Sequence, residues 1–104
     1  MNSKELVEAC PGLTYRKLDF WCNRGVFGEQ KAVGSLRRHF DDDEERVARV
    51  LGRVSAAFGQ WSGGKGGFVG VYREIAVQVA AGAPQAVVKL NEGVSIVVDV
   101  EEPV

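Results

Sequence analysis

The fold is decided by Thr14-Tyr15-Arg16-Lys17-Leu18-Asp19-Phe20-Trp21-Cys22-Asn23-Arg24-Gly25-Val26-Phe27, followed after a polar segment by Leu36-Arg37-Arg38-His39-Phe40. Thr14 is a preferred N-cap residue and Gly25 suits the left-handed position after a helix, so residues 14–25 predict a capped helix. Val26-Phe27 and Leu36–Phe40 predict the two strands of a short basic hairpin, with Gly28 and Gly34-Ser35 between them. A helix followed by such a hairpin is typical of the winged helix-turn-helix, whose helix enters the major groove of DNA beside a wing on the backbone.

The remaining elements complete a predicted α+β fold: a winged helix-turn-helix domain followed by a C-terminal helix and β-hairpin. Ser3 is expected to cap a first helix over residues 4–9, which Pro11-Gly12 ends. Asp41 and Glu44 form a capping-box pattern before a third helix, whose arginine stripe Arg46, Arg49 and Arg53 is expected to be solvated or paired with acids. The predicted domains are residues 1–60, a Gly-rich linker over residues 61–67, and residues 68–104 with a helix at about 69–81 and strands at 86–90 and 94–100 around the loop 91–93.

The composition of the chain limits the classes of protein to which it can belong. The chain has 104 residues and a formal net charge of −1, and no apolar run approaches the ~20 residues of a membrane helix. Its start lacks the apolar region of a secretory signal, so we expect a cytoplasmic protein that does not bind a membrane. Two cysteines and one histidine are too few for a structural zinc site, which needs about four ligands. No catalytic constellation stands out, and we predict a non-enzyme without metal or cofactor.

Charge is distributed unevenly along the chain. Residues 14–40 contain six basic and two acidic side chains, whereas residues 41–104 contain six basic and ten acidic ones. Screening confines the effect of a charge to about 8–10 Å, so the local excess matters more than the total. The first stretch is therefore a candidate footprint for a nucleic acid, with an ordinary solvated face as the alternative.

At residues 14–46 the chain resembles the DNA-binding domain of the mercury-resistance (MerR) regulator superfamily, most closely its small actinobacterial and phage versions. The resemblance covers about half of the chain. It departs from the pattern at His39, which separates the arginine pair from the aromatic, and at Phe20, where tyrosine is common. The residues that carry it are Thr14, Arg16, Leu18, Phe20-Trp21, Gly25-Val26, Gly34-Ser35, Arg37-Arg38 and Phe40-Asp41.

The resemblance implies which residues contact DNA. Arg16 and Lys17 are expected in the major groove, where Arg16 could form two hydrogen bonds to a guanine edge. Arg37 and Arg38 are expected to clamp phosphates beside the wing, unless they pair with the acids at 41–45. The full set of predicted DNA-binding residues is Thr14, Tyr15, Arg16, Lys17, Asn23, Arg37, Arg38 and His39.

Two functions remain open at this point. The leading one is a sequence-specific regulator that binds double-stranded DNA, either a transcription regulator or a phage excisionase-like factor. The alternative is a winged-helix module that binds a host or phage protein. No small-molecule effector is evident.

We also expect residues 68–104 to form a homodimer, because a two-stranded hairpin leaves edges that invite pairing. Packing of this segment back on the helix from Asp41 to Phe58 is the alternative.

Overall fold

The computed structural model describes residues 1–28, 38–57 and 69–101. Within these ranges the protein is a small α+β structure with four helices and one two-stranded antiparallel sheet. None of the helices found there has the length and apolar character needed to cross a membrane. The helices are α1 (Ser3–Ala9), α2 (Tyr15–Asn23), α3 (Asp42–Ala57) and α4 (Val69–Ala80), and the strands are β1 (Gln85–Asn91) and β2 (Val94–Asp99).

Helix α1 begins one residue earlier than predicted. Asn2, not Ser3, is its N-cap: the Asn2 side chain accepts from the Glu5 N–H at 2.9 Å, and the Glu5 carboxylate accepts from the Asn2 N–H at 2.9 Å. This reciprocal pair satisfies two N–H groups that would otherwise have no partner at the helix start. The prediction of a Ser3 cap was wrong because Glu5 stands three residues after Asn2, the spacing that a capping box requires.

Helix α2 begins and ends as predicted. The Thr14 side chain accepts from the Lys17 N–H at 3.2 Å, and Gly25 has φ 78°. The Gly25 N–H donates to the Cys22 carbonyl, and the Val26 N–H donates to the Trp21 carbonyl at 3.0 Å. These two bonds form a Schellman motif, which places Val26 over the last turn of the helix.

The same motif overturns the prediction that Val26-Phe27 is a strand, because these residues form the turn that closes α2. Residues 29–37 of the predicted wing, including Leu36 and Arg37, lie outside the described residues. Beyond them, His39 pairs with Asn2 as an isolated antiparallel bridge, and the Phe40 N–H donates to the Met1 carbonyl at 2.8 Å. The described end of the predicted wing therefore lies against the start of α1.

Helix α3 is the centre of the molecule. Its predicted capping box is confirmed, since Asp41 and Glu44 exchange side-chain to N–H bonds of 2.8 and 3.0 Å. Gly52 packs against the turn between α1 and α2 so closely that a Cβ on Gly52 would lie 2.7 Å from the Pro11 carbonyl oxygen. A Cβ on Gly12, which has φ 83°, would lie 2.6 Å from the Gly52 oxygen. The buried face of α3 contains Val47, Ala48, Val50, Leu51, Val54 and Ser55.

Helix α4 and the hairpin follow the predicted order. Tyr72, Ile75 and Val79 are buried in the same core cluster as the apolar side chains of α1, α2 and α3. The apolar face of α4 is therefore covered within its own chain, which is the packing alternative considered for this helix. The predicted linker over residues 61–67 lies outside the described residues.

The arginine stripe of α3 attaches this C-terminal part. Arg46 donates to the Val79 carbonyl at 3.0 Å, and Arg53 donates to the carbonyls of Asp99 and Val100 at 2.7 and 2.8 Å. The expected pairing with acids also occurs, through Arg46 with Asp43 at 3.8 Å and Arg49 with Glu45 at 3.7 Å. The prediction did not include the carbonyl contacts, because they depend on the ends of α4 and β2, which only the folded structure places next to α3.

The hairpin presents one buried and one exposed face. Ala86 pairs with Val98 and Val88 with Ile96 on the face toward α3 and α4, while Val87 pairs with Val97 on the outer face. The turn is shorter than the predicted three-residue loop. Asn91 pairs with Val94 around Gly93, which has φ 79°, and a register irregularity lies between Lys89 and Asn91. Gly93 thus takes the positive-φ position predicted for it.

Candidate nucleic-acid interface

The outward face of α2 carries a stripe of two exposed arginines with a half-buried phenylalanine between them. Arg16, Phe20 and Arg24 follow at intervals of four residues, so they lie on one side of the helix. Arg16 and Arg24 are exposed, and the Arg24 guanidinium lies 5.1 Å from the centre of the Phe20 ring. A cation over an aromatic face is attracted by the ring quadrupole, which holds Arg24 against the helix surface. We call this stripe, with Tyr15, the α2 face.

Arg24 was missing from the predicted contacts. Its signal was present in the sequence, because Arg24 stands eight residues after Arg16 and two helical steps of four place both on one face. Its backbone is also engaged, since Arg73 of α4 donates to the Arg24 carbonyl at 2.6 Å. That bond satisfies a carbonyl at the C-terminal end of α2 and connects α4 to α2.

Tyr15 joins this face, although it stands three residues before the buried Leu18, a spacing that puts both on one side of a helix. Its side chain is 55% exposed, whereas Leu13 and Leu18 are buried. Tyr15 is the first residue of α2, and Leu13 and Leu18 supply the apolar contacts at that end of the helix. Tyr15 borders a shallow depression that is also lined by Arg16, Asp19 and Arg38.

Thr14 and Lys17 are placed to hold the helix rather than to project from it. Thr14 is the N-cap, and the Lys17 ammonium donates to the Gly12 carbonyl at 2.9 Å. This bond crosses the turn between α1 and α2 and fixes the angle at which α2 leaves it. The Lys17 side chain is partly exposed, so its charge still contributes to the potential of the α2 face.

Arg38 is placed differently from the prediction. Its side chain is only 4% exposed, and it donates to the Asp19 carboxylate at 2.8 Å and to the Asn23 side-chain oxygen at 3.0 Å. Asn23 in turn donates to Asp19 at 3.2 Å. A guanidinium buried in this way cannot clamp a phosphate without leaving its partners, and its acid is Asp19 rather than any of Asp41–Glu45. In this structure Arg38 is a positioning residue for Asp19 and Asn23.

This network changes the electrostatics of the α2 face. Asp19 is the one carboxylate of α2, and its side chain is half exposed. The buried Arg38 neutralises it, so the charges of Arg16, Lys17 and Arg24 are not cancelled locally. Asn23 is exposed but has both its oxygen and its nitrogen committed to the network, which leaves it less free to contact a base than predicted.

The other predicted contacts are less well defined. His39 is exposed, on the short segment that pairs with Asn2. Arg37 lies outside the described residues. In the described part of the chain, no three His, Cys, Asp or Glu side chains converge on a point where they could hold a metal ion. Both cysteines, Cys10 and Cys22, are buried.

Comparison with family models, with curated proteins and with solved structures finds no match to this chain. The interpretation of the α2 face therefore depends on its own geometry and charge, together with the resemblance carried by residues 14–46.

Proposed function

We propose that this protein is a sequence-specific DNA-binding regulator that inserts α2 into the major groove. The observation that carries the proposal is the pair of exposed arginines, Arg16 and Arg24, which flank the half-buried Phe20 on a helix whose only carboxylate is neutralised by Arg38. An exposed face with uncancelled arginines attracts the phosphate backbone, and a helix of this diameter fits the major groove. The MerR-like pattern of residues 14–46 supports the same reading.

The roles follow from position on α2. Arg16, at the N-terminal end, contacts base edges with two hydrogen bonds to a guanine, and Tyr15 lies beside it. Recognition helices use their N-terminal residues in this way. Arg24, at the opposite end, meets the phosphate backbone. Arg37 and His39 extend the contact to the backbone on the wing side, as the resemblance implies.

Binding to selected and random duplexes at several salt concentrations tests the proposal. The site is first selected from a random duplex pool with the full chain. A protein that neutralises several phosphates loses affinity linearly in log salt, whereas a protein-binding module shows no such slope. A flat salt dependence on every duplex would refute DNA binding and favour the protein-interaction alternative.

The first prediction concerns Arg16 on the selected site. Arg16→Ala should weaken binding by about 1–3 kcal/mol and relax the preference at one base pair, because a bidentate contact to guanine is lost. Lys4→Ala, which removes an exposed cation from α1, is the matched control and should leave the preference unchanged. Unaltered affinity of a folded Arg16→Ala protein would remove this residue from the interface.

The proposal covers two kinds of DNA-binding protein. A transcription regulator and an excisionase-like factor both place a helix in the major groove, and they differ in what the bound DNA is used for. DNA bending separates them: an excisionase-like factor should bend the selected duplex strongly, which a circular-permutation gel shift measures.

A further inference from the structure

The two edges of the hairpin are treated differently by the fold. On β1, the Gln78 side chain of α4 accepts from the Val87 N–H and donates to the Val87 carbonyl, each at 2.9 Å. These backbone groups of Val87 therefore point away from β2 and are satisfied. Helix α4 covers this edge at Val87, and covering an edge is one way in which proteins protect a strand from pairing with another chain.

The opposite edge follows from the register. Val87 pairs with Val97. In an antiparallel ladder the two residues of a pair either both direct their N–H and C=O groups toward the other strand or both direct them away from it. The Val97 N–H and C=O thus face away from β1, as do those of Ser95, two residues earlier. Arg53 supports this geometry, since it approaches the Asp99 carbonyl from outside the ladder at 2.7 Å.

Only part of the β2 edge is satisfied. Arg53 covers Asp99, but among the described ranges no hydrogen bond reaches the outward backbone groups of Ser95 or Val97. Val97 is 59% exposed on the outer face, beside Val87 at 50%. On the inner side, a groove runs between α3 and β2. The groove is lined by Arg53, Val54, Ala57, Ile96, Val97, Val98 and Asp99.

We propose that β2 pairs antiparallel with β2 of a second copy, across a two-fold axis that passes beside Val97. The two hairpins then form one four-stranded sheet. In this register Val97 faces the partner's Val97, and Ser95 faces the partner's Asp99. On each strand the Asp99 carbonyl exchanges Arg53 for the other copy's Ser95 N–H, while Arg53 keeps its bond to the Val100 carbonyl. The outward N–H and C=O of Val97 become a mutually hydrogen-bonded pair, which is the arrangement that an isologous interface between strands requires.

Side-chain complementarity selects a second copy as the occupant. The outer face acquires an unbroken row of four valines, from Val87 and Val97 of each copy. Lys89 pairs with Ser95 in the same chain, so Lys89, Ser95 and the partner's Asp99 stand in one row across the sheet. Strands are about 4.8 Å apart, and a lysine side chain reaches over a serine to the next strand. Each end of the interface therefore joins a cation of one copy to a carboxylate of the other.

No like charges face each other in this pairing. On its own strand Asp99 is opposite Gln85, whose amide donates to it at 2.8 Å, and the partner's Lys89 supplies the missing counter-charge. The interface is self-complementary without any unsatisfied acid. This inference does not depend on DNA binding, and either proposal can fail alone.

Sedimentation equilibrium and site-specific cross-linking of the full chain test the second prediction. The mass should rise with concentration from 11.3 kDa to twice that value. Val97→Lys places two lysines opposite each other and should raise the dimer dissociation constant at least about tenfold. Val77→Lys, at an equally exposed valine on α4, is the matched control and should leave it unchanged.

Cysteine variants test the register. Val97→Cys should form an intermolecular disulfide on mild oxidation, because Cα atoms of a hydrogen-bonded antiparallel pair lie about 5.5 Å apart. Val87→Cys should not, since its counterpart in the second copy is three strand spacings away, about 14 Å. A chain that stays monomeric at high concentration overturns the proposal. Equal cross-linking of both variants, or equal weakening by Val77→Lys and Val97→Lys, overturns it as well.

Discussion

The α2 face and the outer face of the hairpin are both exposed, yet their chemistry is opposite. Along α2 the exposed groups are the guanidiniums of Arg16 and Arg24, which water solvates well. On the hairpin they are the side chains of Val87 and Val97, whose exposure costs about 25 cal/mol for each Å² of apolar surface. Exposure by itself therefore does not identify a partner. The charged face favours a polyanion, and the apolar face favours another apolar chain.

Both surfaces are attached to one core. The Trp21 ring of α2 lies 5.0 Å from the Tyr72 ring of α4, tilted by 46°. Arg73 of the same helix donates to the carbonyl at the end of α2, as described above. The two faces thus belong to one packed unit with a shared core. A substitution in that core is therefore the strongest test of whether the two faces fold together.

The largest effect is expected from Ile75→Ala. Ile75 is fully buried between α3 and the hairpin side of the core, and removing its methylenes should lower the free energy of unfolding by about 2–5 kcal/mol. Because the core is shared, urea unfolding should remain one transition by both far-UV and near-UV circular dichroism. Val77→Ala, at the exposed side of the same helix, should change stability by no more than about 0.5 kcal/mol. Two separated transitions would instead show that the two faces belong to independent units.

A smaller effect, about 1 kcal/mol, is expected from Arg38→Ala. The ion pair with Asp19 is buried on one side only, so solvent screens much of its energy. The sharper readout is the salt slope of DNA binding, which should stay unchanged because Arg38 touches no phosphate. Arg37→Ala is the adjacent comparison and should lower the slope by about one unit. If Arg38→Ala lowers the slope by the same amount, Arg38 leaves its pocket in the complex.

The smallest effect concerns Tyr72, at the junction of the two surfaces. Burial raises the pKa of its phenol above 10.0, and a hydrogen bond with Ser55 opposes this only in part. The fold favours the neutral phenol, so its contribution to stability is fully present below about pH 10 and is lost as pH rises through the higher folded pKa. In a Tyr15→Phe background, absorbance titration should find the remaining phenol titrating above 10.0. A midpoint at or below 10.0 would mean that the junction is solvated.

The local signals in the sequence were accurate where one element contains both partners. The box of Asp41 and Glu44, the Thr14 cap and the positive φ of Gly25 and Gly93 each depend on residues a few positions apart. The hairpin pairing could be predicted for the same reason. Even the Asn2 cap had such a signal, because Glu5 stands three positions later.

The errors at Arg38 and Arg53 arose where the partner is distant in sequence, whereas the error at Val26 concerned a local turn. Charge patterning marked Arg38 as a cation near acids, but it could not show that Asp19 of α2 would be the acid that buries it. The β-branched side chain of Val26 favours a strand, but the bond from the Val26 N–H to the Trp21 carbonyl makes this residue part of a turn. Likewise, nothing local to α3 indicates that Arg53 reaches the end of β2.

The contact between Gly12 and Gly52 limits how this chain can change over generations. The nearest atom to a Cβ at either glycine is a backbone oxygen of the other segment, at 2.6 Å for Gly12 and 2.7 Å for Gly52. A larger residue at one position cannot be compensated by a smaller one at the other, because neither has a side chain to lose. We therefore expect both glycines to persist together in descendant sequences, even where the surface residues of α2 and the hairpin have diverged. Where one of them has been replaced, α3 must meet the turn between α1 and α2 at a different angle, and the presented α2 face changes with it.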